Sequence, residues 1–290
     1  MNKMVKKQYE VLRWASLFLE KNNRESRVAE LLLQHHLGVS RAVFFANMQE
    51  DIPDDIYEAF KADIEKHAET GVPLQHLTGY EYFYGRRFTV DEHVLIPRPE
   101  TEELVQHVIR HGVDFRKKPL RIVDVGTGSG VIAITLKLER SDAEVFATDI
   151  SAEALQVAKK NAAAWNADVA FLQGNFLEPL IEREMVVDIL VSNPPYIAEK
   201  ERNVLSDTVK NFDPELALFA GDDGLSAYKE IIRQAKRVVR PGGLIAFEIG
   251  HEQGNAVKKL LMETFPYSDV DILQDINKKD RIVTAKIEKV

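Results

Sequence analysis

The run Ser192-Asn193-Pro194-Pro195-Tyr196 combines residue types that suit a reaction at nitrogen. Two prolines fix φ and contribute no N–H, so the segment is a stiff loop that offers carbonyl acceptors beside the Asn193 side chain. Acceptors so arranged suit a planar NH2 group, whose nitrogen delocalises its lone pair as a peptide bond does and is a poor nucleophile. With Asn193 Oδ1 and the Pro194 carbonyl accepting its two N–H hydrogens, that nitrogen is aligned for in-line attack on an electrophilic carbon. The positive charge developing on it is stabilised as well. Tyr196 can stack on the planar group and exclude water. Alone, the tetrapeptide would read as a proline-rich turn ending a strand; a second motif in register with it makes it a candidate site.

That second motif is Gly126-Thr127-Gly128-Ser129-Gly130, which follows the apolar run Arg121 to Val125 and leads into the helix-like Val131-Ile132-Ala133-Ile134. Glycines there let the backbone turn sharply and approach a ligand, at the carboxyl end of a first strand where open α/β sheets bind ligands. The spacing differs from the dinucleotide pattern Gly-x-Gly-x-x-Gly, and no triphosphate loop is present. Asp149 closes the next strand, where its carboxylate suits the two hydroxyls of a ribose, a feature that NAD would share. Asp124 is expected to hold the loop or, through it, a cofactor amino group. Asn175-Phe176, after the third strand, offers a polar side chain and an aromatic face to an adenine, although Phe176 alone would more often be core.

These corners need a scaffold, and the chain supplies one in three textures. Residues 1–74 read as a helical domain, with apolar positions such as Leu12 and Leu19, Leu31 and Leu32, and Phe60 and Ile64 at helical intervals. Ser40 and Asp54 are expected N-caps there, and Gly71 with Pro73 a stop. Residues 75–98 are rich in aromatic and β-branched residues around turn formers, from Leu77 to Gly85, Phe88 to Val90 and Val94 to Ile96, and predict a β-hairpin connector. From residue 99 to 290 helices alternate with buried strands, a pattern that predicts an α/β domain with a parallel sheet covered on both faces. Strands are expected near Arg121–Val125, Val145–Asp149, Ala170–Gln173, Ile189–Ser192 and Leu244–Glu248. Asp269–Leu273 and Arg281–Ile287, with no helix between them, predict an antiparallel hairpin at the sheet edge.

Composition narrows the chemistry. The net charge of -8 over 290 residues argues against broad neutralisation of nucleic-acid phosphates, and neither the first 75 residues nor the remainder is basic. Without cysteine there is no disulfide, thiolate metal site or cysteine nucleophile. Lys3, Lys6 and Lys7 precede an amphipathic run rather than an apolar signal core, so a cytoplasmic location is expected. His35, His36, His76, His93 and His251 have no metal-ligand spacing, and no metal is expected. Asp222-Asp223 reads as a turn, Phe83 as core, Tyr84 as core or as a residue at the mouth of the site, and Arg98 and Glu100 as a salt-bridged joint or substrate contacts.

The two motifs together resemble the class I methyltransferases whose Asn-Pro-Pro-Tyr members methylate exocyclic adenine nitrogens, guanine amines and glutamine side chains. Ile96-Pro97-Arg98-Pro99-Glu100-Thr101-Glu102-Glu103-Leu104, preceded by His76-Leu77-Thr78-Gly79, is similar to the HemK/PrmC family of protein-glutamine N5-methyltransferases acting on peptide-chain release factors. The related ribosomal-protein glutamine methyltransferases share the tetrapeptide but usually differ at the Arg-Pro-Glu-Thr run. The resemblance spans essentially the whole chain and implies a Rossmann-like class I domain with S-adenosyl-L-methionine as cofactor. It implies cofactor contacts from Gly126, Thr127, Gly128, Ser129, Gly130, Asp149, Phe176 and Asn193, with Asn193, Pro194, Pro195 and Tyr196 holding the substrate amide. The implied partner is a release factor bearing a Gly-Gly-Gln loop, docked with the help of the helical domain, and a monomer is favoured. The chain departs from the family at Asp213, where Glu usually precedes the proline, and at Asn175, where many relatives have Asp. Two other functions share the motifs: methylation of a nucleic-acid base or a ribosomal-protein glutamine, and a non-catalytic module that binds cofactor or a translation factor.

Overall fold

A computed structural model of the chain describes residues 6–111, 120–205 and 207–288; Lys3 of the amino-terminal basic group lies outside them. The described chain divides into two compact units, one comprising residues 1–79 and 207–212 and the other residues 80–206 and 213–290.

The first unit begins with helices α1 (Gln8–Lys21), α2 (Arg27–Leu37), α3 (Arg41–Ala46), α4 (Asp54–Thr70) and α5 (Leu74–Thr78). Their apolar residues recur on one face: Val11, Ala15 and Leu19 of α1, Leu32 and Leu33 of α2, and Phe60 and Ile64 of α4 are buried in one cluster with Phe44. Removing a ring such as that of Phe60 would cost about 3–5 kcal/mol. Ser40 caps α3 as expected, its Oγ accepting from Val43 N at 3.4 Å. At α4, Pro53 is the N-cap and Asp54 the first helical residue. An acid there still faces the positive end of the helix dipole. Gly71 ends α4 at φ +73°, a left-handed conformation that glycine adopts without strain. Leu77 and Thr78, expected in a strand region, belong to α5, because Leu74 and Leu77 at helical spacing pack on this same cluster.

The second unit opens with a hairpin, β1 (Tyr80–Phe83) and β2 (Arg86–Thr89), paired antiparallel around Tyr84 and Gly85, both at positive φ as a tight two-residue turn requires. Phe83 is buried core, as its composition suggested, and Tyr84 packs against the same cluster. Val94 to Ile96 form no strand: Val94 and Ile96 bury their side chains from a loop that leads to Pro97. There follow α6 (Pro99–His111), β3 (Arg121–Val125), α7 (Val131–Glu139), β4 (Glu144–Asp149), α8 (Ala152–Ala164), β5 (Val169–Gln173), α9 (Glu178–Ile181) and β6 (Val187–Ser192). After α10 (Asp207–Phe212), which clusters with the first unit, come α11 (Glu215–Leu218), α12 (Ser226–Val238), β7 (Val239–Glu248), α13 (Gly254–Thr264), β8 (Asp269–Gln274) and β9 (Asp280–Lys286).

β3 to β9 form one sheet in the order β5-β4-β3-β6-β7-β9-β8. The first five of these are parallel, and β9 pairs antiparallel with both β7 and β8, placing the final hairpin at the edge as expected. Strand residues alternate between two cores, which is what period-two side chains demand of a sheet covered on both faces. Ile122, Ile189 and Val191 pack on one face with α6 and α7, while Val123, Val125 and Leu190 pack on the other with α12 and α13. No described helix is long and apolar enough to cross a membrane.

Candidate active site

β3 and β6 are hydrogen-bonded neighbours, with Val123 opposite Leu190 and Asp124 opposite Val191, so the loops leaving their carboxyl ends lie side by side. Ser192 ties the two corners together, its Oγ donating to the Val125 carbonyl at 2.6 Å. A cavity of about 540 Å³ opens there, within the size range of small-molecule sites. Its wall includes Gly126, Thr127, Gly128, Ser129, Asp149, Asn175, Phe176, Asn193 and Pro195, so motifs separated by some 70 residues meet in one space.

The glycine loop is built to expose backbone. Gly126 and Gly128 sit at φ +71° and +53°, and a methyl group added at either would meet no atom within 4 Å. Gly130 has a different task from the one implied for it. A methyl there would press on Ile134 at 2.9 Å and Ala158 at 3.0 Å, so it lets α7 and α8 approach, and it is absent from the cavity wall. Gly126 N and Thr127 N both donate to Thr148 O, at 2.9 and 3.0 Å, fastening the loop to β4. Beneath it Asp124 is fully buried, with Oδ2 accepting from Thr127 Oγ1 at 2.6 Å and Ala133 N at 3.2 Å. Burial pushes its pKa up to about 7 against the lowering effect of those two bonds. Asp124 thus holds the loop and the start of α7.

Asp149 stands at the end of β4, accepting from Gly128 N at 2.8 Å and Ser151 N at 3.0 Å. Its pKa is raised by burial and lowered by these backbone bonds. Phe176 lies at φ +51°, a strained conformation for a bulky residue, and its ring is shared between the cavity and the core beneath. Asn175 donates to Glu178 at 3.3 Å from the same wall.

At the β6 corner, Asn193 Nδ2 donates to Thr101 Oγ1 at 3.1 Å, and Thr101 Oγ1 donates to Glu248 Oε2 at 2.6 Å. Pro194 is buried, and neither it nor Tyr196 lines the cavity. The Tyr196 ring packs on the α12 and α13 core, and burial beside Glu248 pushes its hydroxyl up to about 12. Gln253 fixes the end of the tetrapeptide, donating to Tyr196 O at 2.9 Å while accepting from Gly250 N at 3.0 Å. Arg98 pairs with the buried Asp213 at 2.8 Å and also lines the cavity, so it has both the ion pair and the placement for substrate contact that its two readings required. Asp222 and Asp223 lie in a turn, and Asp223 pairs with Lys229 at 2.6 Å. Among the described residues no group of three or more His, Cys, Asp or Glu side chains is arranged to hold a metal ion.

Sequence reading missed Thr101, Glu248 and the cavity wall contributed by Leu216, Phe219 and Ser226. An acid ending the apolar strand β7 was the one available signal, since a carboxylate there must find a buried donor.

A mostly parallel sheet with a glycine loop and an Asn-Pro-Pro-Tyr corner at neighbouring strand ends is the class I methyltransferase architecture. A methyltransferase from Pyrococcus furiosus shares the fold, with a TM-score of 0.51 at 14% identity over 71% of this chain and 91% of that one. Residues 10–79 match the PrmC N-terminal domain model and residues 101–215 the methyltransferase small domain model. The release factor glutamine methyltransferase of Bacillus subtilis (strain 168) is 47% identical over 97% of this chain and 98% of its own length. The protein of the same name from Bacillus cereus is 45% identical over 97% and 99%. The chain belongs to the release factor glutamine methyltransferase family.

Proposed function

We propose that the chain transfers a methyl group from S-adenosyl-L-methionine to the side-chain amide nitrogen of the glutamine in the Gly-Gly-Gln loop of peptide-chain release factors. The observation that carries this reading is the meeting of Asn193 with the exposed glycine backbone in a single cavity. Full-length relatives bearing that name support the substrate, and the acidic balance of the chain speaks against a nucleic-acid target. A protein substrate of translation puts the enzyme in the cytoplasm.

The residues present fit the cofactor: bare backbone at Gly126 and Gly128, a carboxylate at Asp149 for ribose hydroxyls, and an aromatic face at Phe176. When bound, the cofactor supplies an electrophilic methyl on a sulfonium centre. Asn193 Oδ1, on the cavity wall, accepts one N–H of the substrate amide, and the second is assigned to the neighbouring carbonyl of Pro194, a residue that does not itself line the cavity; together they would direct the nitrogen toward that methyl. Transfer of that methyl to the nitrogen would return the carbon–sulfur electron pair to sulfur, and the nitrogen would give up one N–H proton to solvent as the neutral methylamide forms. The same two oxygens stabilise the charge that builds on nitrogen. Pro195 walls the cavity, Tyr196 backs the corner, and the helical unit serves to dock the release factor.

Mass spectrometry of a release factor incubated with enzyme and labelled cofactor tests the reading. One added methyl on the Gly-Gly-Gln peptide is expected. An unmodified peptide, or label found instead on adenine of a nucleic acid, would end it.

A further inference from the structure

The amide of Asn193 has two ends that differ in kind, and catalysis needs the oxygen, not the NH2, to face the substrate. An amide rotated by half a turn would set donor against donor. Nothing in the tetrapeptide itself selects one orientation. The selection comes from α6 and β7, which are remote in sequence.

Ionised Glu248 can only accept, and it is buried at the end of β7. Thr101 Oγ1 donates to it at 2.6 Å, so the one proton of that hydroxyl is spent. What remains on Thr101 are lone pairs, and Asn193 Nδ2 lies 3.1 Å from them. A hydroxyl whose proton points away accepts from an NH2 but cannot donate to an amide oxygen. We propose that Thr101 and Glu248 are positioning residues that lock the Asn193 carboxamide with its oxygen toward the cavity and, through the same chain of bonds, make that oxygen a stronger acceptor. The second effect follows from cooperativity, because each bond in a low-dielectric chain polarises the next toward the carboxylate. It deepens the methyl-transfer reading of this corner and depends on that reading for its consequence in rate.

The direction of the chain depends on the carboxyl being ionised. Protonated Glu248 would donate to Thr101 and free the threonine proton for an amide oxygen, favouring the wrong orientation. Burial pushes Glu248 up to about 7, with Thr101, Arg281 and a direct side-chain bond from Asn193 opposing. The groups facing it are Glu100 and Thr101 of α6, Arg281 of β9, Asn193 and Tyr196 of the β6 loop, of which Asn193 also bonds the carboxylate directly, and Tyr228 of α12, whose hydroxyl donates to the Glu248 carbonyl at 2.7 Å.

Three variants of the full chain test the lock, with kcat for a Gly-Gly-Gln peptide, the Kd of S-adenosylhomocysteine, and hydrogen exchange of the Asn193 side-chain amide as readouts. Thr101→Val, of the same shape but without the hydroxyl, is expected to lower kcat at least tenfold with Kd within about threefold, and to speed exchange of the amide. Thr101→Ser is expected to restore kcat to within about threefold of wild type. Wild-type kcat is expected to fall as pH drops through about 7 and Glu248→Gln to remove that fall, and a Glu248→Gln profile that keeps it would overturn the role given to Glu248. Full kcat in Thr101→Val, a serine variant as impaired as the valine one, or unchanged amide exchange in Thr101→Val would overturn the lock. A wild-type enzyme inert on the peptide would instead sink the proposed function, and amide exchange would still decide the lock.

Discussion

Asp124 under the glycine loop and Glu248 behind Asn193 are alike in three respects. Both are buried, both are pushed up to about 7 by loss of water, and both take a threonine hydroxyl at 2.6 Å. They differ in reach. Asp124 bonds Thr127 and Ala133, three and nine residues along, and the other backbone ties of the loop run to Thr148 and Asp149 at the end of the next strand. Glu248 bonds Thr101, 147 residues away, which in turn holds Asn193. The loop is therefore a local device, complete once β3, α7 and the adjacent β4 are together, whereas the catalytic corner exists only once α6, β6 and β7 have come together. Damage to the first should appear in cofactor affinity and stability, and damage to the second in the rate of transfer.

The largest effect expected from that division is at Asn193. Removing one preorganised acceptor from a charge-developing centre costs on the order of 10² to 10³ in kcat. Asn193→Ala should reach at least that, measured as single-turnover transfer to a release factor, while calorimetry finds cofactor affinity within about tenfold. A variant that turns over normally would remove the acceptor mechanism. One that loses cofactor and rate together would erase the contrast between the two corners.

The next effect separates the two carboxyls by pH. In the folded chain Asp124 binds its proton up to about 7, against 3.8 for an ordinary aspartate. Between those values the folded state holds a proton that the unfolded chain has released, so the associated stability is complete below 3.8 and lost as pH rises through about 7. Asp124→Asn removes this dependence. Relative to wild type, the variant should gain roughly 3 kcal/mol in stability between pH 5 and pH 8. Urea denaturation at the two values reads the gain directly, independent of any constant cost of burying the new NH2. Equal slopes for both proteins would show that Asp124 keeps one protonation state throughout, and its likeness to Glu248 would go.

The same contrast of local and remote explains what the sequence disclosed. Strands β3 to β7 were legible because each is a short apolar run, and the edge hairpin because no helical stretch separates β8 from β9. The glycine loop was legible because positive φ leaves a mark in residue type. Val94 and Ile96 misled because burial in a loop uses the same residues as burial in a strand, and no partner strand was there to pair with them. Leu77 misled because its aromatic and turn-forming neighbours outweighed one helical repeat with Leu74. Thr101 and Glu248 stayed hidden for a stronger reason. A hydrogen bond across 147 residues leaves no periodicity, and a threonine in a charged helix start resembles any surface threonine until the fold buries it.

The smallest expected effect is the sharpest test of the loop. Gly128 holds φ +53° with open space where a side chain would stand, and its N–H donates to Asp149 at 2.8 Å. Gly128→Ala therefore creates no clash within the protein. It adds a left-handed strain of about 1–2 kcal/mol and places a methyl on the face offered to the cofactor. The Kd of S-adenosylhomocysteine should rise about tenfold, by calorimetry, with kcat at saturating cofactor within about threefold, because Asn193 and its remote supports are untouched. Gly130→Ala makes the contrast within the loop itself. Its methyl would strike Ile134 and Ala158 rather than ligand, so its cost should fall on the melting temperature, with less change in affinity for the protein that remains folded. If the two alanine variants instead behave alike, the loop does not divide its glycines between ligand and packing, and the contrast between a locally supported corner and a remotely supported one rests on the β6 side alone.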